Sequence, residues 1–202
     1  MTGADIFIAL DLGNVLSLVD ESVGAREFAR LSGKPQREAF DAVFAPERKV
    51  PIETGRQSFE DFSRECCERL GMKMTPARFR EVYKSVLTPN TAIFPLVDRL
   101  LGTYRVGLCS NTSSVHWELE RRRLPFGRRL DPAVVSYQVG VMKPEPGIFE
   151  ALARQAGVGA GRILFVDDRS ENVEGAERAG LRALEFKSVA GLETDLMRLG
   201  VI

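Results

Sequence analysis

Four short, largely apolar runs constrain this chain more than any other feature: Ile6–Leu10, Arg105–Cys109, Ala133–Ser136 and Ile163–Val166. Their Val, Ile, Leu and Phe residues follow one another without polar alternation. That pattern suits strands covered on both faces, as in a parallel sheet. A weaker fifth run, Arg182–Phe186, follows Gly180, a helix-stopping residue. Between the runs lie helical patterns with readable ends. Pro146 opens one whose face is Ile148, Phe149, Leu152, Ala153 and Ala156, and Gly157 is placed to stop it. Another runs from Asn172 to Ala179, with Ser170 as its expected N-cap. Strand and helix alternate from about Phe94 onward, which predicts right-handed βαβ units. The expected fold is α/β: a Rossmann-like parallel sheet flanked by helices.

Residues 18–90 break the alternation and are expected to hold helices only. Thr75-Pro76 starts one, with Phe79, Val82, Tyr83, Val86 and Leu87 as its apolar stripe. Ser58 starts another, with Phe59, Phe62, Cys66 and Leu70 facing inward and Asp61 where a capping box wants an acid. The expected organisation is a catalytic core from 1–17 and 91–202, with a helical-bundle cap from 18–90.

Ligands of an open parallel sheet bind at the carboxyl ends of its strands. Asp11 follows the first run and Ser110-Asn111-Thr112 the second. Lys143 lies in the loop after the third, and Asp167-Asp168 follows the fourth. Three carboxylates, a hydroxyl and an ammonium thus project to one edge. Carboxylate oxygens are hard donors that select Mg²⁺, and Lys143 with a metal would keep three neighbouring acids ionised. Such a site suits a dianionic phosphoryl group, with Asp11 able to attack phosphorus and form an aspartyl-phosphate.

These motifs, Asp11-Leu12-Gly13-Asn14-Val15, Ser110-Asn111, Lys143 in Gly-x-x-Lys-Pro-Glu-Pro-x-Ile-Phe, and Asp167-Asp168-x-x-x-Asn172, resemble those of the haloacid dehalogenase superfamily, subfamily IA. The likeness runs from about Ile6 to Phe186, and the insertion resembles the family's C1 helical cap. Asp-Leu-Gly-Asn-Val and Ser-Asn-Thr are also similar to a branch of small bacterial sugar-phosphate phosphatases, including an α-D-glucose-1-phosphate phosphatase. The resemblance implies a phosphoric monoester hydrolase. Asp11 would be nucleophile and metal ligand, with Gly13 (through its carbonyl), Asp167 and Asp168 completing the Mg²⁺ site. Ser110, Asn111 and Lys143 would bind the phosphoryl group, Lys143 would also act in catalysis, and Asn172 would brace the metal loop.

One position departs from that pattern. The family's phosphatases usually carry a second Asp two residues after the nucleophile, as general acid and base, and here Gly13 stands there. An activated leaving group, water, Asp20 or a cap residue would then have to replace it. Two other classes stay open: a catalytically weak or silent binding protein on this fold, and a metal-independent 2-haloacid dehalogenase. Displacing halide needs no acid, but that subgroup lacks the acids that Asp167-Asp168 retains. His116 after the second motif, and Glu53 with Gly55 on a loop of the insertion that could reach the substrate, are the remaining candidates near the expected cleft.

Composition narrows the partners. The 28 basic residues balance 28 acidic ones, so no global field recruits nucleic acid or an anionic membrane. The run of Arg121, Arg122, Arg123, Arg128 and Arg129 lacks the interleaved aromatics of a nucleic-acid platform. Flanked by Asp5 and Asp11, the first apolar run falls short of a signal peptide and of the roughly 20 residues of a membrane span. Cys66, Cys67 and Cys109 suit neither a disulfide framework nor a CxxC site. The expectation is a cytoplasmic protein, monomer or weak dimer, acting on a small phosphorylated metabolite.

Overall fold

A computed structural model describes residues 6–202. Residues 1–5, with the start of the expected core, lie outside it. Five parallel strands form the central sheet: β1 (Phe7–Leu10), β4 (Arg105–Ser110), β5 (Ala133–Val135), β6 (Ile163–Asp167) and β7 (Arg182–Glu185), in the order β5-β4-β1-β6-β7. β1 sits at the centre, with Leu10 in register with Leu108 on one side and Val166 on the other. That register brings Asp11, Ser110 and Asp167 to the same carboxyl edge.

The period of two in a strand explains the unbroken apolar runs. Ile8, Leu10, Val106, Leu108, Leu164 and Val166 face one layer of core. It is closed by α6 (Phe94–Thr103), α7 (Ser114–Arg123) and α11 (Val189–Arg198). Phe7, Ala9, Cys109, Ile163 and Phe165 face the other. That layer is closed by α9 (Pro146–Ala156) and α10 (Ser170–Arg178).

The insertion builds a third core from α1 (Glu21–Ser32), α2 (Gln36–Val43), α3 (Pro46–Glu53), α4 (Phe59–Leu70) and α5 (Pro76–Lys84). Aromatic rings dominate it, Phe28, Phe44, Phe59, Phe62, Phe79 and Tyr83 lying within 4.7–6.3 Å of one another as neighbouring centroids. Ser58 caps α4 through the Asp61 amide and bonds the Asp61 carboxylate, and Thr75 caps α5.

Four local expectations are corrected. The segment is not purely helical: β2 (Ser17–Val19) pairs antiparallel with β3 (Leu87–Pro89), zipping the two crossing chains together. β3 therefore takes Leu87 out of the α5 stripe, and α5 ends at Lys84, leaving Val86 beyond it as well. Ser136 leaves β5 to begin the short α8 (Ser136–Val139). Ser170 is the first residue of α10 rather than its cap. Arg169 takes the cap position without a side-chain cap bond, and Asp167 braces the turn before the helix, its Oδ1 accepting from the Arg169 amide and from Asn172 Nδ2, both at 2.9 Å.

The ribbon is pinned to the core by a buried acid. Glu120 on α7 accepts from Ser17 Oγ at 2.7 Å and pairs with Arg123, which also donates to the Leu87 carbonyl at 3.0 Å. Arg123, exposed at the end of the basic run, thus reaches back to hold the ribbon. Among the described residues no helix is long and apolar enough to cross a membrane.

Candidate active site

The carboxyl edge of the sheet and the near face of the insertion enclose a cleft of about 500 Å³. Asp11, Gly13, Ser110, Asn111, Lys143, Asp168 and Asn172 all line it. These predicted residues therefore meet in one place, and Asp167 lies fully buried against Lys143 rather than on the cleft surface.

Lys143 is the hub. Its buried ammonium lies 2.8 Å from Asp11 Oδ1 and 2.5 Å from Asp167 Oδ2, and donates to the Cys109 carbonyl at 2.9 Å. Burial alone would push this lysine toward its neutral form, but Asp11 and Asp167 together hold its pKa above the ordinary value. Its backbone is clamped by Asn111, whose Oδ1 accepts from the Lys143 amide at 2.7 Å while Nδ2 donates to the Lys143 carbonyl at 2.9 Å. The Asn111 side chain is thus committed to positioning Lys143. Thr112 continues the loop, its amide donating to Ser136 Oγ at 3.0 Å.

Asp11 is pushed up to about 6 by burial, against the pull of Lys143 and with a further push from Asp167; a Ser110 hydrogen bond lowers it. Its Oδ1 has Lys143 as an ion-pair neighbour but no donor in hydrogen-bonding line. Oxygens of Asp11, Asp167 and Asp168 lie within 4.8 Å of one another. Three carboxylates against one ammonium leave an excess of negative charge with hard oxygens converging, an arrangement that fits a divalent cation such as Mg²⁺.

Asn14 has a role that its place in the Asp-Leu-Gly-Asn-Val motif does not signal. Its backbone is left-handed, φ 53°, a conformation Asn tolerates better than most residues. From there Nδ2 donates to Asp168 Oδ2 at 2.9 Å and Oδ1 accepts from the Val19 amide at 3.1 Å. Asn14 therefore ties the Asp167-Asp168 loop to the root of the insertion. Glu21 and Lys49, paired at 2.6 Å on the insertion's face of the cleft, were also missed. They are 28 residues apart on different helices, so no local motif signals them.

His116 and Glu53, left without roles by the sequence, also line the cleft. The His116 ring stacks on Tyr83 at 4.3 Å, with Nε2 3.0 Å from the Tyr83 carbonyl. Burial lowers its pKa to about 4.

The family model for haloacid dehalogenase-like hydrolases matches residues 7–180. The chain is 24% identical over 198 residues to D-ribitol-5-phosphate phosphatase of Bacteroides thetaiotaomicron, covering 94% of this chain and 95% of that protein. A haloacid dehalogenase family enzyme from the same organism, crystallised with magnesium and inorganic phosphate, shares the fold. Its TM-score is 0.81 at 23% identity, with 90% of this chain and 94% of that one covered. A haloacid dehalogenase-like hydrolase of Porphyromonas gingivalis gives a TM-score of 0.81 at 27% identity, over 96% of this chain and 98% of its own.

Proposed function

The chain belongs to the haloacid dehalogenase-like hydrolases, and from that premise we propose that it is a Mg²⁺-dependent phosphatase of small phosphate monoesters, sugar or polyol phosphates, working through an aspartyl-phosphate on Asp11. The observation that carries this is the buried Lys143 ammonium held between Asp11 and Asp167 at the edge of the cleft. It supports an ionised, oriented nucleophile facing the place where a phosphoryl group would sit. The full-length similarity to a ribitol-5-phosphate phosphatase supports the substrate class.

Asp11, Asp167, Asp168 and the Gly13 carbonyl would hold the metal. When bound, Mg²⁺ would draw charge off the phosphoryl oxygens. Asp11 attacks phosphorus while the Ser110 hydroxyl, the backbone beside Asn111 and the Lys143 ammonium stabilise the equatorial oxygens. Asn172, bonded to Asp167, keeps the metal loop in place. Water then hydrolyses the aspartyl-phosphate and regenerates Asp11. We assign residues 18–90 as the cap over a core of 1–17 and 91–202; its packing over the cleft would exclude bulk water during the reaction. The buried, unpaired thiols of Cys66, Cys67 and Cys109 support a reducing, cytoplasmic setting.

The test is phosphate release from p-nitrophenyl phosphate, ribitol 5-phosphate and glucose 1-phosphate with Mg²⁺ or EDTA. The expected result is turnover that EDTA abolishes and that Asp11→Asn lowers by roughly 10³-fold or more. Absence of Mg²⁺-dependent turnover across the panel contradicts the enzyme, and retained activity in Asp11→Asn contradicts the nucleophile.

A further inference from the structure

Gly13 leaves the second position after the nucleophile without a side chain, and the fold does not impose that choice. A Cβ added there would meet only Val19 Cγ2 at 3.5 Å and Asp11 Oδ2 at 3.9 Å, both ordinary contacts. An ester whose alkoxide leaves poorly still needs a proton donor, and so one must come from elsewhere around the cleft.

The insertion and its neighbours bring four candidate groups to that space: Asp20, Glu21, Glu53 and His116. Asp20 is spent as the cap of α1, accepting from the Ser22 amide at 3.0 Å and the Ser22 hydroxyl at 2.5 Å, bonds that hold its pKa below the ordinary value. Glu21 is paired with Lys49. A His116 nitrogen facing the Tyr83 carbonyl has to carry its proton there, where it is not deliverable, and the ring stays neutral down to about pH 4.

Glu53 differs from all three. It is the last residue of α3, lines the cleft, and has no hydrogen bond or ion pair among the described residues. Burial raises its pKa; Lys49 on the same helix and Arg169 on the core pull it down, and Glu21 on α1 adds to the rise. The carbonyl end of α3 also favours the protonated form. Two phenols complete the surroundings, Tyr83 on α5, whose ionisation Glu53 opposes, and Tyr137 on α8 beneath the adjoining turn. That turn is docked on the core through Gly55: its φ is +69°, and a Cβ would fall 2.3 Å from the Tyr137 carbonyl oxygen. Only glycine permits both, and the contact fixes the turn that carries Glu53 against the catalytic side of the molecule.

We propose that Glu53 is the general acid and base of this enzyme, supplied from the insertion in place of a side chain at position 13. The assignment rests on the phosphatase reading above. In the first half-reaction an Asp11 oxygen bonds to phosphorus, the phosphorus–ester oxygen bond breaks, and the leaving oxygen takes the Glu53 proton. In the second, Glu53 takes a proton from water as the water oxygen bonds to phosphorus. The Asp11–phosphorus bond breaks, and the alcohol and inorganic phosphate are the net products of ester and water.

Glu53→Gln keeps size and removes the proton, so wild type and variant are compared, with Mg²⁺, on ribitol 5-phosphate and on p-nitrophenyl phosphate, whose phenolate leaves unprotonated. The expected result is a kcat on the alkyl ester lowered roughly 10²-fold or more, with the first-turnover burst of p-nitrophenolate kept within about threefold. The basic limb of the kcat/KM profile on the alkyl ester is also lost, and the melting temperature is unchanged. Equal losses on both esters would reassign Glu53 to binding or structure, and no loss on either would remove it from the reaction; both outcomes overturn the proposal. A wild type silent on both esters would overturn the phosphatase itself, and the acid role with it.

Discussion

The two walls of the cleft are built on opposite terms. On the core wall nearly every polar atom is committed: Lys143 serves two carboxylates and a carbonyl, Asn111 clamps the Lys143 backbone, and Asp167 accepts from Lys143, Arg169 and Asn172. On the insertion's wall Lys49 and Glu21 pair with each other, and Glu53 has no hydrogen bond or ion pair among the described residues. The core wall holds charge in a fixed geometry, as a nucleophile and metal site require. The other wall leaves a carboxyl free, as proton transfer to a departing group requires. A network with every member bonded cannot give up a proton without disturbing its neighbours, and an unpaired acid can.

That contrast can be broken from either side. On the core wall, Lys143→Met leaves Asp11 and Asp167 buried without their counter-charge. The expected loss is about 3–5 kcal/mol of folding stability, the range for an orphaned buried ion, read by urea denaturation. A change below about 1 kcal/mol would show the network to be weaker than its geometry. On the insertion's side, Glu53→Gln is expected to leave stability untouched, so the two variants together separate a structural charge from a chemical one.

A smaller stability effect than that of Lys143 belongs to His116. Its pKa is depressed to about 4 in the fold by burial, from 6.5 when free. Its contribution is therefore fully present above pH 6.5 and lost as pH falls toward 4, because the unfolded chain binds the proton first. His116→Phe keeps a ring on Tyr83 and removes that titration. Between pH 7 and pH 4.5 the variant is expected to lose about 2 kcal/mol less stability than wild type. Equal losses would show that the ring is solvated in the folded state.

How much of this was legible in the sequence follows the same division. The sheet was readable because its strands are buried on both faces, which makes runs such as Ile8-Ala9-Leu10 continuous rather than alternating. The core-wall residues were readable because each directly follows, or shortly trails, such a run, and topology then brings them to one edge. The β2–β3 ribbon was not, since three-residue strands such as Leu87-Thr88-Pro89 carry too little pattern to outweigh the helical stripe beside them. The start of α10 was misplaced by one residue for a related reason: Ser170 has the right chemistry for an N-cap, but Asp167 fixes the turn through the Arg169 amide and Arg169 takes the cap position. Glu53 was visible only as a polar residue before a turn. What singles it out is the lack of a hydrogen-bond or ion-pair partner among the described residues, and partners are set by tertiary packing.

The central claim is that Asp11 carries the phosphoryl group, and acid-quenching the enzyme during steady-state turnover tests it most directly. Peptide mass spectrometry of the quenched protein should find one phosphoryl group on the peptide containing Asp11, absent in Asp11→Asn and absent without Mg²⁺. Turnover with an unmodified Asp11 peptide, or with phosphate on any other residue, would contradict the account.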